Sequence, residues 1–306
     1  MKYIVGTRGS ALALAQAEYV KRELEVANPG IDIVIEKIKT KGDKILDVPL
    51  AKIGDKGLFT KEIEEKIISG DIDFAVHSMK DMPTALPTGL TIGAITKREN
   101  PRDIFISKNI SFNHLNESHI IGTSSLRRKA QLMSHFPGIQ IIDIRGNIET
   151  RIHKLYESDS MDGLLLATAG VQRLGLQPEY SEVVSEEIII PAVGQGALAI
   201  EIRDDDKEML QLVQTIHDRE SALSIECERV FLKRLEGGCQ VPMAAYAYIK
   251  NKVIHCTGLI ASLNGYTSYH CQKEAPLEDF ESLGLSIAED LLAQGGDEIL
   301  REIYGK

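Results

Sequence analysis

The sequence predicts an α/β protein, with two α/β domains followed by a smaller α+β domain. Three observations carry that expectation. Short apolar strands alternate with amphipathic helices through most of the chain, a break at Asn100-Pro101 interrupts the alternation, and beyond Arg203 a long helix leads into alternating strands. Alternating β and α units favour a mainly parallel sheet with helices on both faces. At 306 residues the chain exceeds the size at which one core usually keeps growing, so two or three domains are expected.

Each element has its own signal. "KYIVG" reads as a strand, "ALAQAEYVKRELEVA" as an amphipathic helix stopped by "NPG", and "IDIVIEKIK" as a strand with Ile31, Ile33 and Ile35 alternating. In "LFTKEIEEKIISG", Phe59, Ile63 and Ile67 recur four apart on one helical face, and Gly70 is placed to end the helix. "DFAVHS" is a short buried strand. After the break come "HIIGTSS", "LRRKAQLMSHF", "IQIIDI", "IETRIHKLY" and "GLLLATA", a second strand-helix series. "ALSIECERVFLKRL" is helical, "AAYAYIKNKVIHCTGLIA" alternates as strands, and "LEDFESLGLSIAEDLLAQ" closes as an amphipathic helix.

Composition excludes several functions. Apolar residues are 43% and charged residues 26%, as in a folded globular chain. No signal-peptide core opens the sequence and no run approaches the about 18 apolar residues of a membrane span, which predicts a cytoplasmic location. The net charge of −10 opposes attraction to nucleic acid or anionic lipid. The four cysteines, Cys227, Cys239, Cys256 and Cys271, form no C-x-x-C pair, so neither a metal site nor a disulfide framework is expected.

Against that acidic background the arginines stand out. Thr123, Ser124 and Ser125 separate a strand from a helix, where hydroxyls and unpaired N–H groups make an anion site. Arg127 and Arg128 follow in the first helical turn, where a cation is unfavourable unless an anion shares the site. Arg145 follows the next strand, Arg151 lies six residues on, and Arg173 ends "AGVQRLG". Each alone reads as a solvated surface charge; together they suit a ligand with several carboxylates or phosphates, which guanidinium forks grip. In "VHSMKDMPTALP" a strand runs into a loop with Lys80 and Asp81 at its mouth. That carboxylate is placed for acid, base or cation-stabilising work, or merely to bond nearby backbone N–H groups, while His77 reads as structural. "GDKILDVPLAKIGDKGLF" reads as a lid loop whose Lys52 and Lys56 serve the site or are plain solvated charges. In "EGGCQ", Cys239 between glycines and a glutamine is a packed thiol or a reactive one.

Eight ordered stretches, "VGTRGSALALAQ", "KGLFTKEIE", "VHSMKDMP", "GTSSLRRKAQL", "IRGNIETRIHKL", "LATAGVQRLGL", "GQGALAIE" and "LEGGCQVPMAAYA", resemble the porphobilinogen deaminase (hydroxymethylbilane synthase) family across about residues 3 to 250. The resemblance implies two domains like type II periplasmic binding proteins, with the active site in the cleft between them, and a third domain. Residues 1–98 with 194–217 would form the first, 99–193 the second and 218–306 the third. It implies a monomeric transferase of tetrapyrrole biosynthesis that joins four porphobilinogens head to tail on a dipyrromethane cofactor, held at Cys239 through a thioether. By the same resemblance Asp81 is catalytic, stabilising the cations formed as ammonia leaves. Lys80, Asp81, Thr123, Ser124, Ser125, Arg127, Arg128, Arg145 and Gly146 hold the cofactor. Arg8, Ser10, Gln16, Arg145, Arg151, Arg173 and Gln195 bind substrate, and Lys52, Lys56 and Phe59 belong to the lid.

Two other classes compete with this. A cytosolic anion-binding module of the same fold explains the arginines and leaves Cys239 without a role. A cysteine-nucleophile hydrolase needs a histidine near the thiol, for which His255 is the nearest candidate.

Overall fold

The computed structural model describes residues 1–44, 60–237 and 241–305. The chain forms two compact units, Met1–Glu99 with Ala197–Ala222, and Asn100–Gly196 with Leu223–Lys306.

In the first unit, strands β1 (Lys2–Arg8), β2 (Asp32–Ile38), β3 (Phe74–Ser78), β4 (Leu90–Ile95) and β10 (Leu198–Arg203) lie in the order β2-β1-β3-β10-β4. β1 runs parallel to β2 and β3, while β10 is antiparallel to both its neighbours, so the sheet is mixed where the alternation predicts mainly parallel pairing. The reversal arises because β10 enters from a distant part of the chain. Period-two alternation places Phe74 and Val76 on one face, packed with Val20 and Leu24 of helix Ala11–Ala27 and Val213 of helix Lys207–Gln214. Ala75 faces the other way, under Ile63 and Ile67 of helix Lys61–Ser69. Wholly buried side chains of this size stabilise by roughly 1.5–3 kcal/mol each. Gly70 ends the helix in the left-handed conformation at φ 77°, as its position predicts.

The second unit repeats the plan. β5 (Asp103–Ser107), β6 (Ile120–Gly122), β7 (Gln140–Ile142), β8 (Gly163–Ala167) and β9 (Tyr180–Val183) lie in the order β7-β6-β8-β5-β9, with β5 the antiparallel member. Helix Leu126–His135 covers one face through Leu132, and helix Ile148–Glu157 covers the other through Leu155. The unit also holds a smaller antiparallel sheet of β11 (Met243–Lys250), β12 (Val253–Ala261) and β13 (Ser268–Pro276). Helices Arg219–Arg234 and Phe280–Leu291 close it through Phe231, Ile287 and Leu291. Ala244, Leu259 and Ala261 on its other face pack against Ala130 and Ile190. The C-terminal region is therefore α+β, as the sequence predicts.

Candidate active site

In each mixed sheet the ends of parallel strands gather the candidate residues at one edge. In the first unit β1 ends at Arg8, and Ser10 caps helix Ala11–Ala27, its hydroxyl accepting from the Ala13 N–H at 3.3 Å. Gln16, on the same helix, is buried. The adjacent strand β3 passes into a single 3₁₀ turn, Met79–Asp81. Met79 and Met82 are buried on either side of Lys80 and Asp81, and the Met79 N–H donates to the Ala197 carbonyl at 3.0 Å. That anchoring leaves Lys80 half-buried and Asp81 exposed. No described residue hydrogen-bonds the Asp81 carboxylate, so it is not spent on capping its own turn. His77 is structural: buried on the face beneath helix Lys61–Ser69, its Nε2 lies 3.0 Å from Glu201 Oε2.

In the second unit three strand ends converge. After β6, Ser125 caps helix Leu126–His135 by accepting from the Arg128 N–H at 3.4 Å. Thr123 Oγ1 accepts from the Ser125 N–H, and Ser124 Oγ both donates to the Ile144 carbonyl (2.8 Å) and accepts from its N–H (3.1 Å). The Ser124 hydroxyl therefore ties the β6 loop to the segment after β7. That segment carries Arg145 and Gly146 before Asn147 caps helix Ile148–Glu157. Gly146 has φ +117°, and a Cβ there would stand 2.7 Å from Thr150 Cγ2, so only glycine fits. Its carbonyl accepts from Arg151 Nε at 2.8 Å.

Arg127 and Arg128 are buried, and the anion that shares their site belongs to the chain itself. Asp103, at the start of β5 and fully buried, accepts from Arg127 Nη2 and Arg128 Nη2, each at 2.8 Å. Gln195 Nε2 also donates to it at 2.9 Å, and Arg173 Nη2 donates to the Gly196 carbonyl at 2.6 Å. Sequence reading misses Asp103, although one acidic residue opening the strand "DIFIS", ahead of its apolar run Ile104–Ile106, is the available signal. Burial pushes its carboxyl pKa up, but the Arg127 and Arg128 guanidiniums outweigh this and hold it well below the usual carboxylate range.

A depressed folded-state pKa contributes stability that is whole above about pH 4 and is lost as pH falls towards the folded value. The thermal midpoint of Asp103→Asn should accordingly lie below that of the parent at pH 5 to 8, with the gap closing under more acid conditions. A gap that persists unchanged into strong acid would contradict this.

Arg151 is held below its ordinary pKa by burial first and then by the charges of Arg128 and Arg145. Arg127, Arg128, Arg145 and Arg151 thus act on one another through their charges, and the buried Asp103 carboxylate is bonded to the first two. No group of three or more His, Cys, Asp or Glu side chains suited to a metal occurs among the described residues. No helix among them is long and apolar enough to cross a membrane.

Lys52, Lys56, Phe59 and Cys239 lie outside the described residues. Before Cys239 the described chain ends at Gly237, whose N–H bonds the Leu232 carbonyl of helix Arg219–Arg234, and it resumes at Val241 before β11. His255 is engaged elsewhere, stacked on Tyr248 with ring centroids 4.9 Å apart and bonded through Nδ1 to Glu274 at 3.1 Å.

A family profile described as porphobilinogen deaminase, dipyromethane cofactor binding domain, matches residues 3–211, and one described as the porphobilinogen deaminase C-terminal domain matches residues 222–293. The porphobilinogen deaminase of Geotalea uraniireducens is 50% identical over 300 residues, covering 98% of this chain and 94% of its own. That of Syntrophomonas wolfei is 50% identical over 299 residues, covering 97% of each. Among solved structures, a methionine binding protein, MetQ, aligns over 73% of this chain and 94% of its own at 13% identity and a TM-score of 0.44, too distant to carry an argument. With both profiles matched in order and half of all positions shared across nearly the whole length, this chain belongs to the porphobilinogen deaminase family.

Proposed function

We propose that the chain performs its family's reaction with Asp81 as the catalytic carboxylate and Cys239 as the tether of a dipyrromethane group. In that reaction four porphobilinogens are joined head to tail, each losing ammonia, and the linear tetrapyrrole hydroxymethylbilane is released by hydrolysis. When bound, the dipyrromethane supplies a nucleophilic pyrrole carbon and a covalent anchor that keeps the growing chain from diffusing away.

The observation that carries the reading is the guanidinium cluster of Arg127, Arg128, Arg145 and Arg151 at one sheet edge of an acidic protein. Every pyrrole in the reaction bears an acetate and a propionate, and their accumulating charge must be offset. This donor set suits that task better than a single-anion solute site. Thr123, Ser124, Ser125, Arg127, Arg128, Arg145, Gly146 and Lys80 hold cofactor carboxylates, while Arg8, Ser10, Gln16, Arg145, Arg151, Arg173 and Gln195 hold those of the substrate. Lys52, Lys56 and Phe59 belong to a lid over the rings. The three domains are those bounded by residues 98, 193 and 217.

Asp81 acts by charge. Loss of ammonia leaves the incoming ring cationic, and the attacking ring gains positive charge as the carbon–carbon bond forms. A carboxylate beside the ring N–H groups stabilises both, and the Asp81 carboxylate is exposed with no described partner to give up. The enzyme works in the cytosol as a monomer, without nucleic acid or membrane partners.

Arg145→Leu tests the carboxylate clamp. It should raise the KM for porphobilinogen about tenfold or more, equivalent to about 1.4 kcal/mol, with the fold intact. Progress curves matching the parent's would remove Arg145 from the site.

A further inference from the structure

Arg127 and Arg128 are consecutive in a helix, so their side chains leave it about 100° apart. They nevertheless meet on one carboxylate. Arg127 Nη2 reaches Asp103 Oδ2 and Arg128 Nη2 reaches Asp103 Oδ1, each at 2.8 Å. Each guanidinium is fixed at a second point, Arg127 Nη1 on the Ile190 carbonyl at 2.6 Å and Arg128 Nη1 on the Leu165 carbonyl at 3.0 Å. Two fixed contacts set the plane of each fork and direct its remaining N–H groups. Arg128 Nε is one of these, buried and without an acceptor among the described residues.

The same carboxylate reaches further. Asp103 Oδ1 also accepts from Gln195 Nε2 at 2.9 Å, and Gln195 lies between Gly194 (φ 72°) and Gly196 (φ 100°) in the turn whose Gly196 carbonyl accepts from Arg173. Asp103 thus touches Arg127, Arg128 and Gln195 directly and is one turn removed from Arg173. It also cancels one of two adjacent buried positive charges. Without it the guanidiniums would repel each other at an uncompensated desolvation cost and turn outward.

We infer that Asp103 is the positioning residue of the carboxylate-binding site: it touches no ligand itself, but orients Arg127, Arg128 and Gln195 so that they can. The inference rests on the reading that these side chains hold pyrrole carboxylates, and it extends that reading to a residue outside the set.

The test uses the full chain, prepared without the cofactor and reconstituted with porphobilinogen, with the loaded fraction read by intact mass and the folded state by circular dichroism. Asp103→Asn should load poorly and, once loaded, show a KM raised about tenfold with kcat changed less than about threefold. Full loading with a KM within about twofold of the parent would reduce Asp103 to a packing role.

If Asp103→Asn does not fold, the comparison passes to Arg127→Met and Asp103→Asn/Arg127→Met, neither of which leaves two buried cations facing one neutral group. Arg128 keeps its anchor in the first and loses it in the second. The second should therefore load less and bind about tenfold more weakly than the first, and equal loading and KM would overturn the inference. Parent-like loading and KM in Arg127→Met would instead show that the reading of Arg127 as a ligand-binding residue is at fault.

Discussion

Replacing Cys239 by serine is expected to leave a folded chain that carries no added mass and forms no hydroxymethylbilane. In the proposed function the sulfur is the atom through which the dipyrromethane is held, and a serine hydroxyl is a far poorer nucleophile at neutral pH than a thiol. Without the anchor each coupling becomes a bimolecular encounter, and the advantage of keeping the growing chain in place is lost. The fold should survive, because the third sheet is closed by the buried side chains of Phe231, Ile287 and Leu291. Intact mass, circular dichroism and a product assay on one preparation check the three parts. A serine variant that still carries the added mass would move the tether elsewhere.

The second large effect is expected at Asp81. Asp81→Asn keeps the size and the hydrogen-bonding shape of the side chain but removes its charge. Turnover should fall about 10²–10³-fold, the usual cost of losing one group aimed at developing charge. The thermal midpoint should change little, since Asp81 is exposed and its turn is anchored by Met79 and Met82. Single-turnover measurements locate the loss in the coupling step. Near-normal turnover would take Asp81 out of the mechanism.

The parts of the fold legible in the sequence are those with local causes. Ile33 and Ile35 alternate because one side of a strand is buried, and Gly70 ends its helix because a left-handed residue is needed there. Thr123 to Ser125 read as a strand-to-helix loop because strand and helix periodicities meet at them. What escaped depends on distant partners. β10 reverses the direction of its sheet by pairing with β3, and the His77–Glu201 contact across that pair spans 124 residues. Nothing near either strand announces the pairing.

The site divides in the same way. Arginines at strand ends point to a polyanion, and their first-turn position demands an anion nearby. Sequence reading left that anion to the ligand, whereas Asp103 supplies part of it from 24 residues upstream of Arg127, and Gln195 joins from 92 residues downstream of Asp103. Separations of that kind are set by sheet order, here by the antiparallel pairing of β5 with β8. Cys239 was ambiguous for a different reason. A lone thiol between glycines has no local pattern to separate packing from chemistry, and the eight ordered motifs carried its assignment.

A primed enzyme whose primer hangs from one cysteine, as proposed, carries that primer as extra mass on one peptide, which intact mass with peptide mapping reads. Purified from cells able to make porphobilinogen, the protein should be heavier than its sequence by two porphobilinogen units less two ammonias, with all the excess on the peptide containing Cys239. A sequence-only mass, or an excess carried by Cys227, Cys256 or Cys271, would contradict it.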